Sequence, residues 1–299
     1  MGTFAYHADN PRISAITGHK VVAGGTRGYQ PFCHIFSVKD QKDGHWQNMN
    51  TYNMWEVPEG MKVDSELGKI PVEMDLLIHF HCKMFPKVVD YGLTKTKDGE
   101  LAWIVLEKSK DDGFKSLNIY AHFERRRRSL FAKELFNPLI TLIPELERIE
   151  DYLHGGGIYN VGTRFRFKES NGIITKLRID SVPLVSSPNQ GLFDAVEHIW
   201  LQDDIWCLAP ETRTAHYDHR ADVFALARSL SCYEHGNAWM TSSDLRSIPF
   251  EEEFRKSCEM QIEMGLDGVD KHVMEKALAF NPDDRYLTLT EFFEALVYE

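Results

Sequence analysis

Strand signals crowd the first third of this chain and helical periodicity fills the rest, and that segregation constrains the fold more than any single motif. KVVAGG, PFCHIFSVKD and NTYNMWEV are rich in β-branched and aromatic residues and are separated by the turn clusters TRGYQ and DQKDGH, which predicts a three-strand meander. After the break VPEG, the segment ELGKIPVEMDLLIHFHCKMF places Ile70, Met74, Leu77 and His81 at roughly helical spacing and predicts one helix over 66–85. FPKVVDYGL and LAWIVLE predict two more strands, so five strands around one helix make a small first lobe that ends near Glu107.

From residue 115 onward the pattern turns helical, with Leu139, Leu142, Leu146, Ile149 and Leu153 spaced three or four apart. FRFKES and GIITKLRI flank Asn171-Gly172, the strongest short hairpin signal in the chain. From Ala221 the segments ADVFALARSLSCYEH, FEEEFRKSCEMQIEMG, VDKHVMEKALAF and TLTEFFEALVYE predict helices. At 299 residues the chain can bury a core large enough for one domain of two lobes, 1–107 and 108–299, in an α+β class. A formal net charge of −11 argues against nucleic acid and anionic membrane as partners. No run of eighteen apolar residues and no signal-peptide pattern is present. Cys33, Cys82, Cys207, Cys232 and Cys258 are scattered without a CxxC pair, which suits reduced thiols in the cytoplasm or nucleus.

Three segments of the second lobe carry a resemblance. CLAPETRTAHYDHRADVFALARSL resembles the protein kinase Ala-Pro-Glu motif, here Ala209, Pro210 and Glu211, running into the helix that opens with a buried aspartate, here Asp222. KALAFNPDDRYLTLTEFF resembles the final kinase helices, where Arg285 would pair with Glu211; HGNAW resembles the segment that closes the Asp-led helix. The order of elements, a β-rich lobe with one main helix and then a helical lobe with a central hairpin, is that of a protein kinase. NMWEVPEG, FPKVVDYG and AHYDHRADVFALA are also faintly similar to the casein kinase 1 and vaccinia-related kinase group.

The resemblance implies where a kinase's chemistry would lie. Ala23, Gly25 and Gly28 fit the spacing of the glycine-rich loop, with its first glycine replaced. With TYNMWEV as the third strand, the phosphate-binding lysine falls on or beside Trp55, and Glu73 follows 18 residues later as the helix glutamate. The competing register makes FSVKD the third strand and Lys39 the lysine. LRIDSV resembles the strand ending in Asp-Phe-Gly, so Asp180 would keep a magnesium ligand. Counting back from Asp180 puts Asn160, Val161 and Gly162 in place of His-Arg-Asp and Phe167 in place of the metal-binding asparagine; an alignment from His154 puts Gly156 in place of the base. Both alignments lose the carboxylate that accepts the substrate proton.

Without base, second metal ligand and lysine, little is left to stabilise a phosphoryl-transfer transition state. The implied function is a pseudokinase that binds another protein, such as an active kinase or its substrate, with an atypical transferase built on Asp180, Glu73 and Lys39 as the alternative. No cofactor is expected; ATP with magnesium is the ligand that backbone groups after Glu107 would still admit. Arg125, Arg126, Arg127 and Arg128 form the one dense basic run and a candidate docking patch, with solvated surface as the plainer reading. His79, His81 and Cys82 are better read as core packing than as metal ligands. Gly155 to Gly157 follow a helix end and read as a helix stop.

Overall fold

A computed structural model describes residues 10–27, 33–40, 44, 46–57, 59–82, 85–107, 115–118, 132–157, 164–171, 173–179, 207–213, 217–235 and 250–298. A first helix, α1 (Asn10–Thr17), precedes the strands β1 (Val21–Arg27), β2 (Cys33–Lys39) and β3 (Trp46–Asn53). A two-stranded hairpin follows, β4 (Lys62–Ser65) with β5 (Gly68–Pro71), leading directly into α2 (Val72–His79). The strands β6 (Val88–Thr96) and β7 (Gly99–Glu107) complete an antiparallel sheet of order β1-β2-β3-β7-β6.

Two expectations about this region need correction. The helix expected over 66–85 is confined to Val72–His79, because Pro71 lacks the N–H a helix interior needs and Gly68, at φ 115°, closes the β4–β5 turn. Ile70 is fully buried, but from a strand. The third strand ends at Asn53 rather than running on through Trp55, since the Asn53 carbonyl accepts from the amides of Glu56 and Val57 and turns the chain.

The two faces of the sheet do different work. Phe36, Val38, Met49, Trp103 and Val105 form a small core on the outer face, with Ile13 of α1 packed against it. On the inner face Cys33, Tyr52, Ala102, Ile104 and Leu106 join the main core, which continues without interruption into the helical part. The helical part does not open on a helix, as the pattern from residue 115 predicts, but on the strand β8 (Lys115–Asn118); the helix α3 (Phe136–Tyr152) comes after it. The hairpin of β9 (Arg164–Ser170) and β10 (Ile173–Ile179) turns at Asn171, held at φ 53°, and β8 adds a third strand to it. Toward the carboxyl end the described residues form α4 (Arg220–His235), α5 (Phe250–Met264), α6 (Lys271–Ala277) and α7 (Leu289–Tyr298). From Ala221 to Glu234 every residue of α4 is buried, so it is the axis on which the other helices pack. Among the described residues no helix is long and apolar enough to cross a membrane.

Candidate functional site

The site is built from one strand and one short helix beneath the inner face of the sheet. Strand alternation sends Asn48, Asn50 and Tyr52 of β3 to the same face as Cys33 on β2 and Ile104 and Leu106 on β7. Glu73, in the first turn of α2, is buried under this face at 6% exposure. Its neighbour from the sheet is Tyr52, whose hydroxyl hydrogen-bonds the Glu73 carboxyl and reaches the Cys33 thiol. Asn50 Nδ2 approaches the same hydroxyl at 3.5 Å, a long and weak contact.

Burial sets the charge state of this cluster. Removal from water pushes the Glu73 carboxyl up to about 8, opposed only by the Tyr52 hydrogen bond, so Glu73 is mostly protonated at neutral pH. Burial, and after it the nearby Glu73, also raises Tyr52 and Cys33 well above their usual ranges. The inner face thus holds a neutral trio of Glu73, Tyr52 and Cys33.

Neither expected lysine register places a partner on Glu73. Trp55 lies in the turn after β3, 48% exposed, and rests on Gly99, where a Cβ would come within 2.7 Å of its ring. It does not fill the cleft. Lys39 is the exposed last residue of β2, beside Gly44 of the hairpin and six residues along the strand from Cys33, about 20 Å at strand rise. The residue that meets Glu73 is Tyr52, which sequence reasoning missed; the strand period counted from the true end of β3 is the signal that would have found it.

Contacts with α3 hold α2 in place without an ion pair to the sheet. Tyr152, at the end of α3, donates its hydroxyl to Asp75 at 2.8 Å and packs edge-on against Phe80, with ring centroids 5.7 Å apart. Arg148 lies over the Phe80 ring at 5.1 Å and bonds Glu145, which accepts from Cys82. His79 pairs with Asp75 at 2.9 Å, and among the described residues no group of three ligating side chains could hold a metal.

The glycine-rich loop Gly155–Gly157 begins where α3 ends. His154 at φ 54° and Gly155 at φ 88° terminate the helix, with the Gly155 amide bonded to the Glu150 carbonyl. The Gly155 carbonyl accepts from the His219 amide at 3.0 Å, tying the loop to the start of α4. Gly156 carries no side chain to act as a base. Phe167 is half-buried on β9 against the main core, and Glu107 is the last residue of β7. Ala23 and Gly25 lie in β1; Gly28, Asn160, Val161, Gly162, Asp180 and Arg125 to Arg128 lie outside the described residues.

The framework of the helical part is intact and charged. Glu211, on the 3-10 turn Pro210–Arg213, and Arg285 form a bidentate pair, with Nη2 to Oε2 at 2.7 Å and the Arg285 side chain fully buried. Arg285 also donates to the carbonyls of Ala279 and Phe280 and sits over the Phe224 ring. Asp222 is buried in the first turn of α4 and hydrogen-bonds Glu150 of α3; burial, and then the Asp222 charge, hold the Glu150 proton far above the usual carboxyl range. Two carboxyl groups bonded to each other share a proton.

This arrangement aligns with a solved structure. Over 94% of this chain and 94% of the other, it superposes on the crystal structure of the kinase domain of PknI from Mycobacterium tuberculosis, a double mutant, with a TM-score of 0.51 and 16% sequence identity. The chain has the protein-kinase fold. In that kinase fold β1 to β3, β6 and β7 are the sheet of the first lobe, α2 is its main helix, and α3 to α7 build the helical lobe. No protein-family model matches the sequence, and no curated protein matches it.

Proposed function

We propose that this kinase fold is a pseudokinase: it engages a partner protein and does not transfer phosphate. The observation that carries the reading is Glu73 paired with Tyr52. A phosphate-binding lysine works because its charge stays beside the nucleotide and is oriented by a carboxylate. A phenol and a protonated carboxyl supply neither charge nor orientation for phosphates. The loop sequence adds to this, since neither alignment of the segment after α3 leaves a carboxylate in the position of the base. The transferase alternative requires Lys39 near Glu73, and Lys39 is exposed at the far end of β2.

The partner belongs on the helical lobe. The α2 helix buries Val72, Glu73, Met74, Leu76 and Leu77, leaving little face to present. The helical lobe, by contrast, packs around a central helix buried from Ala221 to Glu234, which leaves its outer helices to present faces to a partner. An active kinase or its substrate is the partner class a kinase-like surface of this shape would compete for or position.

Thermal unfolding with and without ATP, in magnesium and then in EDTA, tests the reading. A ligand at a hundred times its dissociation constant stabilises by about 2.7 kcal/mol. The expected result is no magnesium-dependent rise in Tm; a rise that EDTA abolishes would return the fold to the enzymes.

A further inference from the structure

A second concave site lies on the opposite, outer face of the sheet, independent of the Glu73 cluster. Helix α1 overhangs β2, β3 and β7 there, and the space between them is about 260 Å³. Ile13 and Ile16 form the roof and Phe36 and Leu101 the floor, both floor residues being buried. The mouth is polar: Arg12, Glu56 and Asp98 line it beside the exposed indole of Trp55.

The roof is anchored on either side of Ile13. Arg12 pairs with Asp98 in the β6–β7 turn, and Ser14 Oγ accepts from the Val21 amide at 3.0 Å. The glycine beneath Trp55 is constrained too, because Gly99 combines φ 133° with a Cβ position that the ring already occupies. Trp55 is thereby held upright between this cavity and a shallower one lined by Glu59, Lys62, Lys69 and Glu100.

Charge selects the occupant. Arg12 offsets the carboxylate of Asp98, whereas Glu56, among the described residues, bonds only the neutral amide of Asn53, at 3.0 Å. The described mouth therefore carries one carboxylate in excess next to an aromatic ring, the pairing that attracts a cation. Behind it lies a chamber of mixed lining, where His34, Thr51 and Thr96 stand beside the four apolar side chains, just below the roughly 300–1,000 Å³ of sites for drug-sized ligands. We infer that this cavity is a binding site for an alkylammonium group, its hydrocarbon chain between Ile13, Ile16, Phe36 and Leu101 and its ammonium at Glu56 and Trp55. The same chemistry is offered by a free primary amine and by a lysine side chain of another protein.

The full chain carrying 15N-labelled tryptophan tests this by NMR, with the Trp55 indole signal assigned from the Trp55→Phe variant. Titration with n-butylammonium is expected to move that signal saturably, whereas n-butanol, with the same chain and no charge, binds at least about ten-fold more weakly. Glu56→Gln, at an exposed position that leaves the fold intact, is expected to weaken the amine at least about ten-fold. Nα-acetyl-lysine amide binding as well as n-butylammonium would assign the site to a lysine side chain, and binding of the free amine alone would assign it to a small amine. An unmoved Trp55 signal, equal binding of n-butanol, or an unchanged affinity in Glu56→Gln would each overturn the inference.

Discussion

Two carboxyl groups in this molecule meet opposite partners. Glu211 lies against a guanidinium that three backbone carbonyls and a ring hold in place, with the Arg285 side chain out of water. Glu73 lies under the sheet with a phenol and a thiol, and burial pushes its carboxyl up to about 8. A cationic partner favours the charged form of a carboxyl, and burial without one favours the neutral form. In the helical lobe the carboxylate faces a guanidinium, and in the first lobe the carboxyl faces Tyr52.

The comparison is broken most strongly by Arg285→Ala. Leaving Glu211, 10% exposed, without its cation is expected to cost up to about 3–5 kcal/mol, read from urea unfolding. Loss below about 1 kcal/mol, the level of an exposed pair, would mean the pair does not anchor the lobe.

Glu73→Gln sharpens the other side. A group whose folded pKa is raised binds its proton more tightly when folded, so its contribution is fully present below the unfolded value of 4.5 and is lost as pH rises toward about 8. In that window stability should fall by up to about 1.4 kcal/mol per pH unit for each such group. Unfolding measured across that window, from 4.5 to about 8, is expected to lose the Glu73 share of this slope in Glu73→Gln, with the folded state retained. The share due to Glu150 has the same sign and stays.

Tyr52→Phe is a smaller change. It removes one hydroxyl worth about 1 kcal/mol, and because the Tyr52 hydrogen bond lowers the Glu73 pKa, its loss should move the Glu73 titration upward. Smallest of all is Lys39→Ala, at an exposed hairpin end, expected within about 0.5 kcal/mol of the parent in denaturant. A large destabilisation there would show that Lys39 has a partner in the cleft after all.

Much of the scaffold is legible in the sequence because it follows simple periods. The alternation in CHIFSVK, the Asn171-Gly172 turn and the apolar stripe of α3 each have one physical solution. The hairpin of β4 and β5 is hidden because Ile70, Met74 and Leu77 share a helical spacing that Pro71 interrupts, and a period count does not weigh one imino acid against three apolar residues. The start of β3 is hidden by QNMN, whose amides have little strand preference, so the strand reads as shifted toward Trp55. That shift propagates into the site: it puts the lysine position on Trp55 and conceals Tyr52. The β8 strand and α1 are short and polar, and tertiary contacts rather than local pattern fix them. The Glu211–Arg285 geometry, by contrast, is reached through the kinase resemblance and lies far outside any local period.

The most direct measurement is a 13C NMR titration of the side-chain carboxyl of Glu73 in the folded protein, assigned from Glu73→Gln. A midpoint near 8 is the result expected if Glu73 is a neutral acid bonded to Tyr52. A midpoint in the ordinary carboxylate range, near the 4.5 of an unperturbed glutamate, would place a cation or water beside it and contradict the neutral cluster on which the pseudokinase reading rests.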